Sequence, residues 1–131
     1  MALTFVKVKI LNPANEKKQT LVQFMVDSGA IYSVIPERIL SKLGIQPHSK
    51  KTFTLANGEV IERAIGDAVF EYSHERGASP VIFGKKGDSS LLGAVTLEAL
   101  GLMLDPIRRE IKPLPMVLGG LPQLKAKRAR R

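Results

Sequence analysis

Asp27 is the residue of this sequence whose position best suits chemistry. It follows a segment in which Val22, Phe24 and Val26 occupy alternate positions, as in a strand with one buried face. A carboxylate at the end of such a strand is costly to ionise unless it is hydrogen-bonded or paired. Ser28 adds a hydroxyl, and Gly29 permits a sharp turn and the close approach of another backbone. The tripeptide is equally typical of a plain turn or a helix N-cap, so alone it leaves both interpretations open.

The other polar motifs do not complete a site of a familiar type. Ser28 and His48 lack the Gly-x-Ser-x-Gly elbow of a serine hydrolase. Residues 84–87, Gly-Lys-Lys-Gly, lack the Gly-Lys-Ser/Thr ending of a phosphate-binding loop. The two histidines are too few for a structural zinc site in a chain without cysteine. The absence of cysteine also excludes a thiol nucleophile and a disulfide. We interpret as turn or surface residues Asp67, Asp88, Asp105, His48 and His74.

The composition predicts one globular domain. The chain has 131 residues, of which 44% are hydrophobic, an ordinary share for a core of this size. No apolar run approaches the ~20 residues that a helix needs to cross a bilayer, and we see no signal-peptide pattern at the N-terminus. Since cysteine is also absent, we expect a cytoplasmic protein that makes no membrane contact.

The basic charge is concentrated at the C-terminus. The formal net charge is +8, and residues 125–131 carry five of the positive charges. Such a segment could attract nucleic acid, acidic lipid or an acidic protein partner, although a solvated chain end explains it more simply. We therefore expect residues 1–115 to form the folded domain and residues 116–131 to form a flexible tail rich in proline and basic residues.

Short β-rich runs between prolines and glycines predict a mostly β fold with one or two short helices. Asn57-Gly58 stands between two such runs, which is the strongest local signal for a hairpin. Polar loops are expected over residues 73–79 and 84–90. The predicted strands cover residues 6–10, 22–26, 52–55, 60–64, 66–72, 80–83, 91–92, 102–104 and 110–112.

A partial internal repeat accompanies the two predicted helices, which cover residues 37–43 and 95–100. Residues 40–45 and 97–102 share the pattern Leu-x-x-Leu-Gly-aliphatic, and each copy follows an apolar strand that enters a glycine turn. Two unrelated helices with glycine caps would end in the same way, but the matching turns favour a true repeat. Only the first copy carries an acid, Asp27, at its turn.

Residues 26–36, Val-Asp-Ser-Gly-Ala-Ile-Tyr-Ser-Val-Ile-Pro, resemble the active-site segment of retroviral-type (retropepsin-like) aspartic peptidases. In that family two hydrophobic residues precede Asp, then Ser or Thr, Gly and Ala. Leu91-Leu92-Gly93-Ala94 resembles the second signature of the family, and Asn57-Gly58 lies where its members carry a flap hairpin. Residues 104–111 resemble the end segments of cellular, non-viral members. The resemblance spans residues 4–115.

This resemblance implies a closed, barrel-like acid protease fold in which each chain forms one lobe. It also implies hydrolysis of peptide bonds by two carboxylates that share a water molecule. The paired acids retain one proton; one acts as base on the water, and the other donates to the scissile carbonyl, as aspartic proteases do. The sequence holds one Asp-Ser-Gly, so a homodimer must supply the second. The chemistry requires no metal, cofactor or covalent intermediate.

The same resemblance assigns roles to residues. Asp27 is the catalytic residue, and Ser28 and Gly29 support the active-site loops across the dimer. The hairpin closes over an extended peptide or protein substrate. The residues expected to contact that substrate are Gly29, Ala30, Ala56, Asn57, Gly58 and Gly93. Because the hairpin tip has one glycine and no arginine follows Gly93, details of the flap and of the interface are not carried over from viral members.

Two alternatives stay open. A dimeric module of the same fold could bind peptides without cleaving them. Alternatively, the basic tail could be the functional part of a nucleic-acid-associated protein, whose binding would be sensitive to salt. Loss of cleavage in Asp27→Asn identifies the enzyme, and loss of nucleic-acid binding on deletion of residues 125–131 identifies the third case.

Overall fold

The computed structural model describes residues 3–115, which contain nine strands and two short helices. The elements in chain order are β1 (Phe5–Asn12), β2 (Asn15–Val26), β3 (Ser33–Pro36), α1 (Glu37–Lys42), β4 (Ser49–Thr54), β5 (Val60–Tyr72), β6 (Glu75–Gly84), β7 (Leu91–Leu92), α2 (Ala94–Ala99), β8 (Leu102–Asp105) and β9 (Glu110–Pro113). No helix in this range is long and apolar enough to cross a membrane. The expected tail, residues 116–131, lies outside the described residues, so the prediction about it stays a prediction.

Seven strands form one sheet in the order β1-β2-β7-β3-β6-β5-β4, and a further pairing of β1 with β5 closes six of them into a ring. Most neighbouring strands are antiparallel, but β2–β7 and β3–β6 are parallel. β8 and β9 form a separate pair. Because β7 lies between β2 and β3, the second glycine turn of the sequence lies beside the first. The prediction of a mostly β fold with short helices is confirmed.

The core consists of the apolar side chains on the inner face of the strands, since successive residues of a strand point to opposite faces. Val8 and Ile10 of β1 and Phe24 of β2 are fully buried. The ring of Phe24 lies 6.1 Å from that of Phe70 in β5. Leu40 packs α1 onto the same cluster. This apolar burial, which dominates the stability of a domain, fixes the strand ends that carry the candidate site.

Both predicted helices are confirmed to within one residue at each end. Each is followed by a glycine with positive φ, +75° at Gly44 and +71° at Gly101, a conformation that other residues adopt only at a cost. The amide of Gly44 donates to the carbonyl of Ser41, and that of Gly101 to the carbonyl of Glu98. The two halves of the predicted repeat therefore end in the same local structure.

The prediction of a polar loop over residues 73–79 is wrong. β5 and β6 pair continuously up to Tyr72 and Glu75, and a tight turn with φ +58° at Ser73 joins them. The paired residues 75–78 are mostly exposed, so they lack the apolar alternation by which a half-buried strand is recognised. Asp67, which we interpreted as a turn residue, instead lies within β5, where it is an exposed position between buried Gly66 and Ala68 and pairs with Pro80.

Replacement of Leu40 by alanine tests the placement of α1. Leu40 is 0% exposed, and Leu40→Ala should lower the free energy of unfolding by about 2–5 kcal/mol because the truncation leaves a cavity. Leu21 is 61% exposed, so Leu21→Ala should change it by less than about 0.5 kcal/mol. Urea unfolding followed by circular dichroism measures both values. Equal effects of the two substitutions would contradict the packing of α1 on the core.

Candidate functional site

Asp27 directly follows β2, at the edge of the sheet. The register of β2 with β7 pairs Met25 with Leu91 and Val26 with Leu92, and the amide of Asp27 continues this ladder by donating to the carbonyl of Leu92 at 3.0 Å. Asp27 is half-buried. The backbone on which the carboxyl group stands is therefore fixed by two parallel strands.

The turn after Asp27 orients its carboxyl group. The amide of Gly29 donates to Oδ1 of Asp27 at 2.9 Å, and the amide of Ala30 donates to the Asp27 carbonyl at 3.1 Å. A Cβ at position 29 would lie only 3.2 Å from Oδ1, so glycine leaves this oxygen room. Among residues 3–115, Oδ2 of Asp27 makes no hydrogen bond. One carboxyl oxygen is held by the turn, and the other can accept a water molecule.

The second glycine turn packs directly on the first. The amide of Ala94 donates to the carbonyl of Ala30 at 2.8 Å, and that of Val95 to the carbonyl of Ile31 at 3.0 Å. A Cβ on Gly93 would lie 2.7 Å from the carbonyl carbon and oxygen of Tyr32, a separation too short for any side chain. The start of α2 thus holds the loop that carries Asp27.

Three buried hydroxyl groups lock these segments together. Oγ of Ser33 in β3 accepts from the amide of Gly93 at 2.9 Å and hydrogen-bonds to Oγ1 of Thr96 in α2. Oγ1 of Thr96 also hydrogen-bonds to Oγ of Ser79 in β6, at 2.8 Å. All three residues are at most 2% exposed, and buried polar groups that are fully paired rigidify their surroundings. The cluster ties α2, β3 and β6 together behind the Asp27 loop.

Asp27 opens onto a groove of about 600 Å³ between its own loop and the hairpin of β4 and β5. The hairpin contributes Phe53, Leu55 and Ile61, and the ring of Phe53 meets that of Tyr32 edge to face at 6.2 Å. The complete lining comprises Met25, Asp27, Gly29, Ala30, Ile31, Tyr32, Val34, Phe53, Leu55, Ile61, Arg63, Ile82, Gly87, Asp88, Ser89 and Leu91. The groove is mainly apolar, with a carboxylate on its wall.

One ion pair interrupts the apolar lining. Nε of Arg63 in β5 donates to Oδ2 of Asp88 at 2.8 Å, and Nη2 donates to Oδ1 at 3.1 Å. The amide of Lys85 also donates to Oδ2 at 2.7 Å. Mainly because of the hydrogen bonds from Arg63, the pKa of the Asp88 carboxyl is held below its ordinary value, against the opposite effect of its partial burial.

The predicted site residues fall into three groups. Asp27, Gly29 and Ala30 line the groove, and Ser28 is exposed beside them. The predicted hairpin exists, with φ +90° at Gly58 and a hydrogen bond from the Glu59 amide to Oδ1 of Asn57. Its tip residues, Ala56, Asn57 and Gly58, are exposed and do not line the groove. Gly93 is buried beneath the loop, so its place is to let two backbones meet rather than to face a substrate.

Sequence reasoning missed most of the groove wall. Phe53 and Ile61 lie opposite each other in the antiparallel register of β4 and β5, so their side chains share one face of the hairpin. The alternation of apolar residues on both sides of Asn57-Gly58 could have indicated this face. The pairing of Arg63 with Asp88 had no local signal, because 25 residues separate the two in the chain. Asp88 does lie in a turn, as interpreted, but it also lines the groove and pairs there with Arg63.

Comparisons with known proteins agree with this geometry. A family model described as "gag-polyprotein putative aspartyl protease" matches residues 15–99, more than half of the chain. The solution structure of the simian foamy virus (mac) protease is similar with a TM-score of 0.52 and 17% sequence identity, over 72% of this chain and 92% of that one. The crystal structure of the retroviral protease-like domain of Ddi1 from Leishmania major is similar with a TM-score of 0.55 and 19% sequence identity. This match covers 86% of this chain and 89% of that one. No curated protein sequence matches the chain.

These matches confirm the fold that the resemblance implied. At sequence identities of 17% and 19%, the two structures show a shared fold alone. The residues matched by the family model include both the Asp27 turn and the Gly93 turn. The retropepsin-like fold is thereby established for this chain.

Removal of the Thr96 hydroxyl tests the buried cluster. Thr96→Val keeps the shape of the side chain but leaves the hydroxyls of Ser33 and Ser79 without their shared partner. It should lower the free energy of unfolding by about 1–3 kcal/mol. Thr20→Val, at an exposed position in β2, is the control and should be close to neutral. Chemical denaturation measures both, and a neutral Thr96→Val would show that the cluster does not stabilise the loop.

Proposed function

Because this chain belongs to the family of gag-polyprotein aspartyl proteases, we propose that it is an endopeptidase in which Asp27 is the catalytic carboxylate. The observation that carries the proposal is the placement of an oriented, half-buried carboxyl group on the wall of a mainly apolar groove. A groove of this kind suits an extended peptide, whose side chains enter apolar pockets while its backbone forms hydrogen bonds to the walls.

The proposed enzyme is a homodimer, because one chain supplies one suitable acid. Asp27 and Asp88 are the acids that line the groove among residues 3–115, and both oxygens of Asp88 are already engaged by Arg63. A second copy related by a twofold axis would bring a second Asp27 to the same place.

Exposed apolar residues beside Asp27 support such a partner. The carbonyl of Thr4 accepts from the amide of Val26 at 2.8 Å, so the chain start runs along the strand end that leads to Asp27. On either side of Thr4, Leu3 is 57% and Phe5 is 53% exposed, and Ile31 in the turn itself is 67% exposed. Exposed apolar side chains of this size near the candidate site favour a surface that a partner covers.

The mechanism then follows from two carboxyl groups in contact. Like charges at this distance share one proton, as aspartic proteases exemplify. The ionised Asp27 removes a proton from water, and the protonated Asp27 of the other copy donates to the scissile carbonyl as its oxygen becomes negative. Ser28, an exposed residue of the turn, would brace the partner's loop. The exposed hairpin tip around Gly58 would close over the bound peptide and exclude water.

A peptide-binding module without cleavage is the second candidate, because the same apolar groove favours it. It differs from the enzyme in one testable respect. A binder uses the groove and does not need the Asp27 carboxylate, so its affinity for peptides would survive replacement of that group.

Replacement of Asp27 by asparagine tests the proposed chemistry. Digestion of a mixed peptide library at several pH values should show cleavage by the unmodified protein, greatest at acid pH, where two neighbouring carboxyl groups hold one proton. Asp27→Asn should lower kcat/KM by about 10²–10⁴-fold or more, because proton transfer by a positioned side chain typically contributes a factor of this size. Asp67→Asn is the matched control, since Asp67 is an exposed aspartate that does not line the groove.

Two other outcomes would reject the enzyme. Cleavage by Asp27→Asn at the rate of the unmodified protein would remove Asp27 from the mechanism. If the unmodified protein cleaves nothing at any pH, yet both proteins bind the same peptides equally in calorimetry, the binding module is the correct reading.

A further inference from the structure

The ion pair of Arg63 and Asp88 joins the two segments that flank the apolar part of the groove. Arg63 lies in β5, four positions after the hairpin tip ends at Glu59. Asp88 lies in the loop between β6 and β7, three residues before Leu91, whose strand pairs with β2 beside Asp27. Both partners line the groove. A single side-chain contact therefore links the base of the hairpin to the strand that supports the candidate catalytic turn.

Several features distinguish this pair from the other ion pairs of the described residues. The Arg63 and Asp88 side chains are 17% and 26% exposed, whereas in every other pair at least one partner is more than 40% exposed. Two parallel hydrogen bonds hold it, a geometry that fixes orientation as well as distance. The Lys85 amide fixes Asp88 from its own loop. Pairs of this kind are screened less than surface pairs and hold their geometry better.

We propose that Arg63 and Asp88 are positioning residues that hold the hairpin base and the loop over residues 85–90 at the separation at which the groove seats a peptide chain. This inference deepens the proposed function and rests on it, because it takes the groove to be the substrate site. The pair contacts no reacting atom in this proposal. It sets the width of the groove, so it acts on peptide binding rather than on the proton transfers at Asp27.

The pair is also suited to acid conditions. The hydrogen bonds from Arg63 lower the pKa of Asp88, so the carboxylate persists at pH values where an ordinary aspartate, with a pKa of about 3.9, is half protonated. The charged groups that face the pair are Lys85, which favours the Asp88 carboxylate, and Glu37, which favours charged Arg63. The ion pair should therefore stay formed above the ordinary pKa of aspartate and break only as the pH falls through the lowered pKa of Asp88.

Hydrogen exchange of backbone amides tests the positioning role of the ion pair without any need for catalysis. In Arg63→Met and in Asp88→Asn, amides of residues 54–60 and 85–90 should exchange about tenfold faster than in the unmodified protein, because local opening loses a charged hydrogen-bonded pair. Arg63→Lys, which keeps the charge and loses the two-pronged geometry, should be intermediate. Arg76→Met is the control, since Arg76 pairs with Glu71 and Glu16 and does not line the groove. Exchange in α2 should be unchanged in all variants that fold.

Kinetics and binding provide the second readout. If the pair positions the walls, Arg63→Met and Asp88→Asn should raise KM about tenfold with kcat nearly unchanged, the pattern of lost uniform binding. At a pH below the lowered pKa of Asp88, the KM of the unmodified protein should approach that of Asp88→Asn.

The outcomes separate this inference from the proposed function. Unaltered exchange in both segments, or a kcat loss at constant KM, would overturn the positioning role. If neither the unmodified protein nor any variant cleaves a peptide, the proposed enzyme fails. Faster amide exchange together with weaker peptide binding by Arg63→Met would then still support the positioning role of the ion pair. If Arg63→Met does not fold, the nearly isosteric Asp88→Asn decides the question alone.

Discussion

The close contact of two glycine turns determines where the candidate carboxylate stands. Gly93 approaches the Tyr32 carbonyl so closely that no side chain fits between them, and the Ser33 hydroxyl accepts from its amide. Parallel pairing of β2 with β7 brings these turns together, and the amide of Asp27 extends that pairing. The amides of Gly93 and Asp27 thereby gain hydrogen-bond partners, without which their burial would be costly. The loop is therefore built to keep one geometry.

The groove depends on this fixed edge. Part of its apolar wall comes from the hairpin of β4 and β5, whose tip is exposed and whose base contacts the loop over residues 85–90 through the ion pair of Arg63 and Asp88. In the proposed enzyme, the fixed turn would hold the carboxyl group on one side of the groove, and the exposed hairpin tip on the other side would close over a bound peptide. The proposed homodimer would use the exposed apolar residues near Asp27 as its contact surface.

Much of this arrangement could be predicted from the sequence, for identifiable reasons. Alternation over residues 22–26, the Asn57-Gly58 pair and the glycines after both helices are local signals, and the structure follows them. The repeat of the two glycine turns was also visible in the sequence, although their contact in space was not. The outer end of β6, residues 75–79, was missed because most of it is exposed and lacks the apolar alternation of a half-buried strand. Arg63 with Asp88 and the cluster of Ser33, Ser79 and Thr96 were missed because their partners are distant in the chain, and such contacts exist only once the sheet closes.

The central claim is that two Asp27 carboxyl groups from two chains share one solvent molecule. A crystal structure of the protein with a peptide inhibitor that carries a hydroxyl group in place of the scissile carbonyl measures this directly. The account predicts a twofold dimer in which both Asp27 carboxyl groups lie within about 2.6–3.2 Å of that hydroxyl, the reach of a hydrogen bond. A monomer that binds the inhibitor, or a dimer in which the two carboxyl groups face separate grooves, would contradict it.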